Sequence, residues 1–98
     1  MAAGDVVSAV SSIAAAASLD YQPAAGVEAI IRHVDTSSGA ADLAVGIYDG
    51  TNHAAHTMNP ALSNVYNVFI PVTNSKYLRL TNNNVGAKIL SYGGIQTK

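Results

Sequence analysis

The residues best suited to chemistry in this chain of 98 residues are three histidines. His53 and His56 are three positions apart, a spacing that places both side chains on one face only in a helix. In a strand, successive side chains alternate, so these two histidines would point to opposite faces. A metal site would then need His33 with Asp35 or Asp49 as further ligands. We expect ordinary surface or half-buried histidines, and no metal.

Six carboxylates are the next candidates for catalysis. A glycosidase places two carboxyl groups about 5–10 Å apart in a cleft. Only one of the six is a glutamate, and most of them lie near predicted turns or strand ends, where aspartate is favoured for backbone reasons. There is also no Gly-x-Ser-x-Gly elbow to hold a nucleophilic serine. We therefore expect no enzyme, no catalytic residue and no cofactor. The six are Asp5, Asp20, Glu28, Asp35, Asp42 and Asp49.

The segment Asp49-Gly50-Thr51-Asn52 resembles the start of a calcium-binding loop. An EF-hand loop needs further acidic or amide side chains at fixed positions and a closing glutamate. His53 and the two alanines that follow supply no carboxylate. Because Asp-Gly is a strong signal for a tight turn between two strands, we interpret the segment as a hairpin turn.

Five tyrosines are spread along the chain, without any tryptophan. A sugar-binding platform would favour clustered aromatic rings, whereas tyrosines on strands more often pack in a core or in a protein interface. Both roles remain open from the sequence, with core or interface the more common. The tyrosines are Tyr21, Tyr48, Tyr66, Tyr77 and Tyr92.

The elements that must position these residues are short strands, because apolar residues recur with period two from Leu19 onward. Turn residues interrupt the pattern about every 8–12 residues, a spacing typical of an antiparallel sandwich or small barrel. We predict an all-β fold: a compact antiparallel β-sandwich, jelly-roll-like, of about seven or eight short strands. The clear strands run through residues 27–34, 43–48, 53–58, 65–72, 76–81 and 87–92.

The alternation also predicts which side chains share a face. In the first clear strand, Ile30 and Val34 are expected on one face and Ile31 and His33 on the other. In later strands, the face with Leu43, Val45 and Ile47 and the face with Leu78 and Leu80 are the apolar ones. Gly93-Gly94 is expected to loosen the tail at residues 95–98.

Residues 1–18 fit two patterns. Val6, Val10 and Ile13 recur at helical spacing and four alanines follow at 14–17, but the same segment also alternates as a strand would. We favour an extended arm plus a first strand over a helix. We divide the chain into an N-terminal arm at 1–18, extended or a short helix, and a β-sandwich domain at 19–98. The arm is expected to be mobile in the free protein and to serve assembly more than folding.

Composition limits the possible partners. Charged residues make up 11% of the chain and the formal net charge is −1, so a basic surface for nucleic acid is lacking. Apolar runs are far shorter than a membrane span, and the first residues lack the positive region of a signal peptide. We expect no nucleic-acid partner, no membrane and no export by that route. A surface of neutral polar side chains resists association poorly, so we expect the chain to function as part of a larger protein assembly.

Four segments carry a family resemblance: Gln22–Val34, Ile47–Asn52, Val72–Asn82 and Tyr92–Lys98. Together they resemble small virion proteins of tailed bacteriophages, over about residues 19–98. The alanine-rich first eighteen residues match that group least.

The resemblance implies a compact β-sandwich that decorates or cements the phage head, without any activity, cofactor or site residue. The expected function is a capsid decoration or cement protein that binds the major capsid protein or other virion structural proteins as a homo-oligomer. It would be made in the host cytoplasm and located in the virion. The loops at 52–59 and 82–84 are the expected contacts. The alternative is a tail, fibre or spike component that binds cell-surface glycan.

Overall fold

The computed structural model describes residues 3–36, 43–58 and 65–98, and these ranges contain strands and turns without a helix. The described ranges therefore include no helix long and apolar enough to cross a membrane. Eight strands form two four-stranded antiparallel sheets. The strands are β1 (Val6–Ile13), β2 (Ser18–Tyr21), β3 (Ala29–Thr36), β4 (Leu43–Tyr48), β5 (His53–Met58), β6 (Val65–Val72), β7 (Tyr77–Asn82) and β8 (Lys88–Gln96).

The strand order is that of a long hairpin rolled up on itself. β1 pairs with β8, β2 with β7, β3 with β6 and β4 with β5, as in one extended hairpin. Rolling the hairpin adds the pairs β3–β8 and β4–β7. The first sheet is thus ordered β1-β8-β3-β6 and the second β2-β7-β4-β5, which is the double Greek key of a jelly roll. The predicted all-β sandwich is confirmed.

The core lies between the two sheets and follows the alternation predicted for β4 and β7. Leu43 and Val45 are buried, and so are Leu78 and Leu80, while Tyr77 remains half-buried on the other face. The buried apolar side chains are Val7, Ala29, Ile31, Val34, Leu43, Val45, Val72, Leu78, Leu80, Leu90 and Tyr92.

The prediction for the faces of β3 is wrong. Ile31 and Val34 are both buried in the core, whereas Ile30 and His33 lie on the outer face of the first sheet. The reason is a register shift between Ile31 and His33 against both neighbouring strands. The irregularity at Arg32 interrupts the alternation. Odd-numbered residues therefore face the core before Arg32, and even-numbered residues face it afterwards.

Within the expected N-terminal arm, the structure contains a strand that is part of the first sheet. β1 pairs with β8 along its whole length, from Val6 opposite Ile95 to Ile13 opposite Lys88. Val7 is 4% exposed and belongs to the core. Residues 6–13 are therefore the outer strand of the first sheet, neither a helix nor a segment apart from the sandwich. The extended form buries alternate residues against the second sheet, which the helical spacing would not do.

The tail that Gly93 and Gly94 were expected to loosen is instead the end of β8. Both glycines are buried, and a side chain on either would overlap a neighbour. At Gly93 the overlap is with the ring of His33, and at Gly94 with the backbone of Ile30. The glycines here permit a close approach of β8 to β3 rather than a flexible end.

Candidate functional site

An aromatic row crosses the outer face of the second sheet. Tyr48 on β4 lies directly opposite His53 on β5 and opposite Tyr77 on β7. The Tyr48 ring meets both neighbours edge to face, with centroids 6.1 Å from His53 and 5.7 Å from Tyr77. All three side chains are half-buried. We call these three residues the aromatic row.

An ion pair adjoins the aromatic row. The Arg79 guanidinium donates hydrogen bonds of 2.9 and 2.8 Å to the two carboxylate oxygens of Asp20. The Cζ atom of Arg79 lies 3.6 Å from the centroid of the Tyr48 ring. His53 donates from Nε2 to the carbonyl oxygen of Arg79 at 3.2 Å, across β4. The hydrogen bonds to Asp20 raise the pKa of Arg79 above its ordinary value, although burial opposes the shift.

This arrangement offers aromatic surface and satisfied charges rather than a reactive group. Arg79 is occupied by Asp20 and by the face of Tyr48, so it does not offer a free guanidinium to an anion. The half-exposed groups on this face are the phenol ring of Tyr77, with its hydroxyl, and the imidazole ring of His53. Such a surface suits stacking against a neutral ring.

The aromatic row was not predicted from the sequence, although two of its residues have a local signal. Tyr48 and His53 flank the hairpin turn at residues 49–52, so their pairing follows from the turn itself. Tyr77 joins them only through the pairing of β4 with β7. The other two tyrosines with described side chains, Tyr21 and Tyr92, pack against each other at the core, with their ring centroids 5.5 Å apart. Burial raises the pKa of both.

The three histidines occupy three different surfaces. His53 lies on the outer face of the second sheet, and His56, on the same strand, takes the opposite face by alternation. His33 is on the outer face of the first sheet, with its Nδ1 3.4 Å from Asp35 Oδ1 but without hydrogen-bond geometry. Within the described ranges, no group of three or more potential ligands lies together for a metal ion.

The carboxylates are equally dispersed. Asp20 is held by Arg79 on the second sheet, while Asp35 lies beside His33 on the first. Glu28 lies 4.0 Å from the Lys98 ammonium, and both side chains are well exposed. Asp42 lies outside the described residues, and Asp5 precedes β1.

Asp49 serves the hairpin turn between β4 and β5. Its Oδ1 accepts hydrogen bonds from the backbone N–H groups of Thr51 at 2.9 Å and Asn52 at 2.7 Å. These bonds lower the pKa of Asp49, which is fully exposed. Gly50 has a φ of 96°, which a side chain would strain. The geometry is that of the predicted hairpin turn.

One of the two loops expected to make contacts has an internal role. Asn82 is 0% exposed, and its amide donates to the carbonyl oxygens of Ile13 at 2.9 Å, Ala14 at 3.3 Å and Gly86 at 3.0 Å. Asn82 therefore ties the end of β1 to the β7–β8 turn and is not available to a partner. Asn83 remains exposed, and so does Asn52 in the other loop, whose end at 59 lies outside the described residues.

An apolar row crosses the outer face of the first sheet. Val6, Ile95, Ile30 and Pro71 are successive ladder partners on β1, β8, β3 and β6. Val6 is 72% exposed and Ile95 46%, and Phe69, two residues before Pro71, is 62% exposed. The guanidinium of Arg32 lies 5.4 Å from the Phe69 ring. We call the four ladder partners the apolar row.

A cleft of about 390 Å³ opens between β6 of the first sheet and β4 and β5 of the second. Its walls are apolar, with Ile47, Ile70 and Phe69 among the lining residues, and His56 is the titratable side chain that lines it. No protein-family model matches the chain, and no curated protein is significantly similar to it in sequence.

Proposed function

We propose that this chain is a non-enzymatic structural protein of a tailed-bacteriophage virion, made in the host cytoplasm. In this role it binds the outside of the assembled head as a decoration or cement protein. Its partners are the major capsid protein or other virion structural proteins, and it acts as a homo-oligomer on the particle. The resemblance of residues 19–98 to such proteins and the low charge of the chain support the proposal. The jelly roll is compatible with it, since capsid proteins use this fold, but a fold alone does not assign a function.

The observation that carries the proposal is the apolar row. Strands lie about 4.8 Å apart and rise about 3.3 Å per residue, so a face of four strands and eight residues covers about 500 Å². A specific interface buries at least about 1,000 Å² in total, or about 500 Å² from each partner. The outer face of the first sheet therefore has the size and the exposed apolar side chains of a protein-binding surface.

Binding alone would suffice for the function. A protein that binds only the assembled shell stabilises that shell relative to its free subunits, by linkage. Apolar contact through Val6, Ile95 and Phe69 would supply about 25 cal/mol per Å² of apolar surface removed from water. Because this contact is apolar, it would depend little on salt.

The test is the copy number of the chain in purified particles, measured by quantitative mass spectrometry. A decoration protein is present in numbers comparable with the major capsid protein, whereas absence from the particles would overturn the proposal. Ile95→Lys is expected to reduce incorporation into particles while leaving the fold intact, because Ile95 is half exposed. Val85→Lys is the matched control, since Val85 is fully exposed in the β7–β8 turn.

The aromatic row favours a second candidate, a tail, fibre or spike component that binds cell-surface glycan. Sugar rings stack on aromatic side chains, and lectins also use jelly rolls. A glycan array with the purified chain tests it, with Tyr77→Ala expected to remove the signal. Phe69→Ala, an aromatic substitution on the opposite sheet, is the control that should keep it. Few copies per particle together with a glycan signal would favour this candidate over the first.

A further inference from the structure

β1 is an outer strand that lacks the usual protection against pairing with another chain. Within the described ranges it pairs with β8 alone, over eight residues and without a register shift. The strand contains no charged residue, proline or glycine. The backbone N–H and C=O groups on its far side therefore form a regular, accessible edge.

Two of the other three outer strands are protected against edge pairing, and the third, β5, is shorter than β1. β6 contains Pro71 and has a register shift against β3. β2 has only four residues, whereas β5 has six and pairs with β4 in regular register. Short edges, proline and irregular register are the devices by which proteins prevent edge pairing. Among the described strands, β1 is thus the longest outer strand without these devices.

The exposed side chains of β1 give the edge a self-complementary pattern. Val6 is 72% exposed and Val10 is 71% exposed, both on the outer face of the first sheet. Ser8 lies between them on the same face. In an antiparallel pair of two identical strands centred on Ser8, Val6 of each copy lies opposite Val10 of the other.

We propose that two copies of this chain pair antiparallel along β1, with the two-fold axis at Ser8, and so join their first sheets into one continuous sheet. Main-chain hydrogen bonds provide the affinity in this mode of association. The contact is isologous, as a two-fold dimer requires. The inference develops the homo-oligomer part of the proposed function, but it concerns the purified chain and needs no capsid.

The register with the axis at Ser8 is the one that gives both exposed valines of β1 a valine partner. Directly opposite residues must share a face, so the two-fold axis can fall only on a residue and not between two. With the axis at Ala9, Val10 would face Ser8 and Val6 would face Ser12. With the axis at Ser8, both valines gain an apolar cross-strand partner, which contributes about 0.2–1 kcal/mol for each pair.

The charges near the edge do not oppose this register. Asp5, which precedes β1, would lie opposite Ser11 of the second copy. The two Asp5 residues would then be six positions apart along the strands, about 20 Å. At that distance, physiological salt screens their repulsion. The pairing also continues the apolar row of one copy, which ends at Val6, into Val10 of the second copy.

The first experiment is sedimentation equilibrium of the purified chain over a range of concentrations. The wild-type chain is expected to be a dimer, and Val10→Lys to raise the dimer dissociation constant at least tenfold, because a charge would replace an apolar partner of Val6. Val85→Lys adds the same charge in the β7–β8 turn and should leave the constant unchanged. A thermal melt of each variant verifies that the monomer fold is kept.

The second experiment locates the two-fold axis, using the absence of cysteine from the chain. With the axis at Ser8, the two Ser8 Cα atoms lie about 4.5–5.5 Å apart, within the range that a disulfide accepts. Ser8→Cys is therefore expected to form a cross-linked dimer on mild oxidation. Ser12→Cys is the control. Ser12 is also exposed on the same strand, but the two introduced cysteines would be eight positions apart along the strands, about 26 Å.

A monomeric wild-type chain at all concentrations would overturn the dimer. Equal cross-linking of Ser8→Cys and Ser12→Cys, or a dimer that Val10→Lys does not weaken, would overturn the β1 interface. Neither result would bear on whether the chain binds particles, which the copy number tests separately. Conversely, absence from particles would leave a dimer through β1 intact.

Discussion

Arg79 on β7 and Asp20 on β2 form a two-point ion pair across directly opposite positions of the second sheet. Their side chains are 26% and 31% exposed, so the pair is partly shielded from water. The guanidinium also covers the Tyr48 ring. One arginine therefore connects β2, β7 and β4 on the face that carries the aromatic row.

The first prediction concerns this pair. Asp20→Asn should lower the free energy of unfolding by about 1 kcal/mol, because it removes a charge-assisted pair of hydrogen bonds that is only partly exposed to solvent. Urea denaturation measures the change, which should shrink in 1 M salt. The control is Glu28→Gln: Glu28 and Lys98 are 4.0 Å apart and well exposed, so this change should be smaller. Equal effects of the two substitutions would contradict the prediction.

The second prediction concerns Asn82. Asn82→Asp replaces an amide donor with an oxygen that faces the carbonyl groups of Ile13, Ala14 and Gly86 in a buried site. We expect a loss of about 3 kcal/mol or more in unfolding free energy. The same substitution at the exposed neighbour, Asn83→Asp, should change it by less than about 0.5 kcal/mol. Chemical denaturation of both variants measures the difference, and similar stabilities would show that the buried amide is not essential.

The third prediction separates the two glycines of β8. Gly94→Ala should be the more destabilising change, because the new side chain would overlap the fixed backbone of Ile30. In Gly93→Ala, the atoms nearest to the new side chain belong to the ring of His33, which can rotate away. Adding His33→Ala should therefore recover stability lost in Gly93→Ala and recover none in Gly94→Ala. A double-mutant cycle on thermal denaturation measures this coupling.

The fourth prediction is a pH dependence at the β4–β5 turn. Backbone hydrogen bonds from Asn52 and Thr51 hold the pKa of Asp49 below 3.8, its ordinary value. Because the folded pKa is lowered, the stabilisation is fully present above about pH 4 and is lost as the pH falls through the lowered pKa. Asp49→Asn keeps an acceptor but does not titrate. The Tm advantage of the wild type over this variant should therefore disappear in acid, and a constant difference from pH 2 to 7 would argue against the role.

The fifth prediction concerns residues 2–17. Their deletion removes β1, exposes the edge of β8 and takes Val7 out of the core. We expect the truncated chain to lose its cooperative thermal transition, in contrast to the sequence-based expectation that this segment serves assembly more than folding. Circular dichroism during heating measures the transition. An unchanged melt would show that the sandwich folds without β1.

The strands themselves could be predicted from the sequence because their signals are local. Alternating apolar residues and the turn residues between them act over a few positions, and they located β4 to β7 to within a residue or two. The Asp49-Gly50 turn likewise implies the pairing of Tyr48 with His53. The inward faces of β4 and β7 followed from the same alternation.

Three features depended on the tertiary structure. In β3, the core-facing positions change from odd-numbered to even-numbered residues at Arg32, because of an irregularity that no local pattern marks. Residues 6–13 became a strand because β8, at the other end of the chain, offers a partner edge and a core for Val7. Gly93 and Gly94 continue that strand because β3 packs against them, although glycine by itself favours a loose end.

The apolar row and the aromatic row likewise depend on the tertiary structure, because the order of the strands brings their residues together. Val6, Ile95, Ile30 and Pro71 are far apart in the sequence, and only the order β1-β8-β3-β6 aligns them into the apolar row. Tyr77 joins Tyr48 only through the pairing of β4 with β7. Local alternation sets which way each side chain points. Burial of the whole core selects which strands become neighbours, and that choice decides which exposed side chains form one surface.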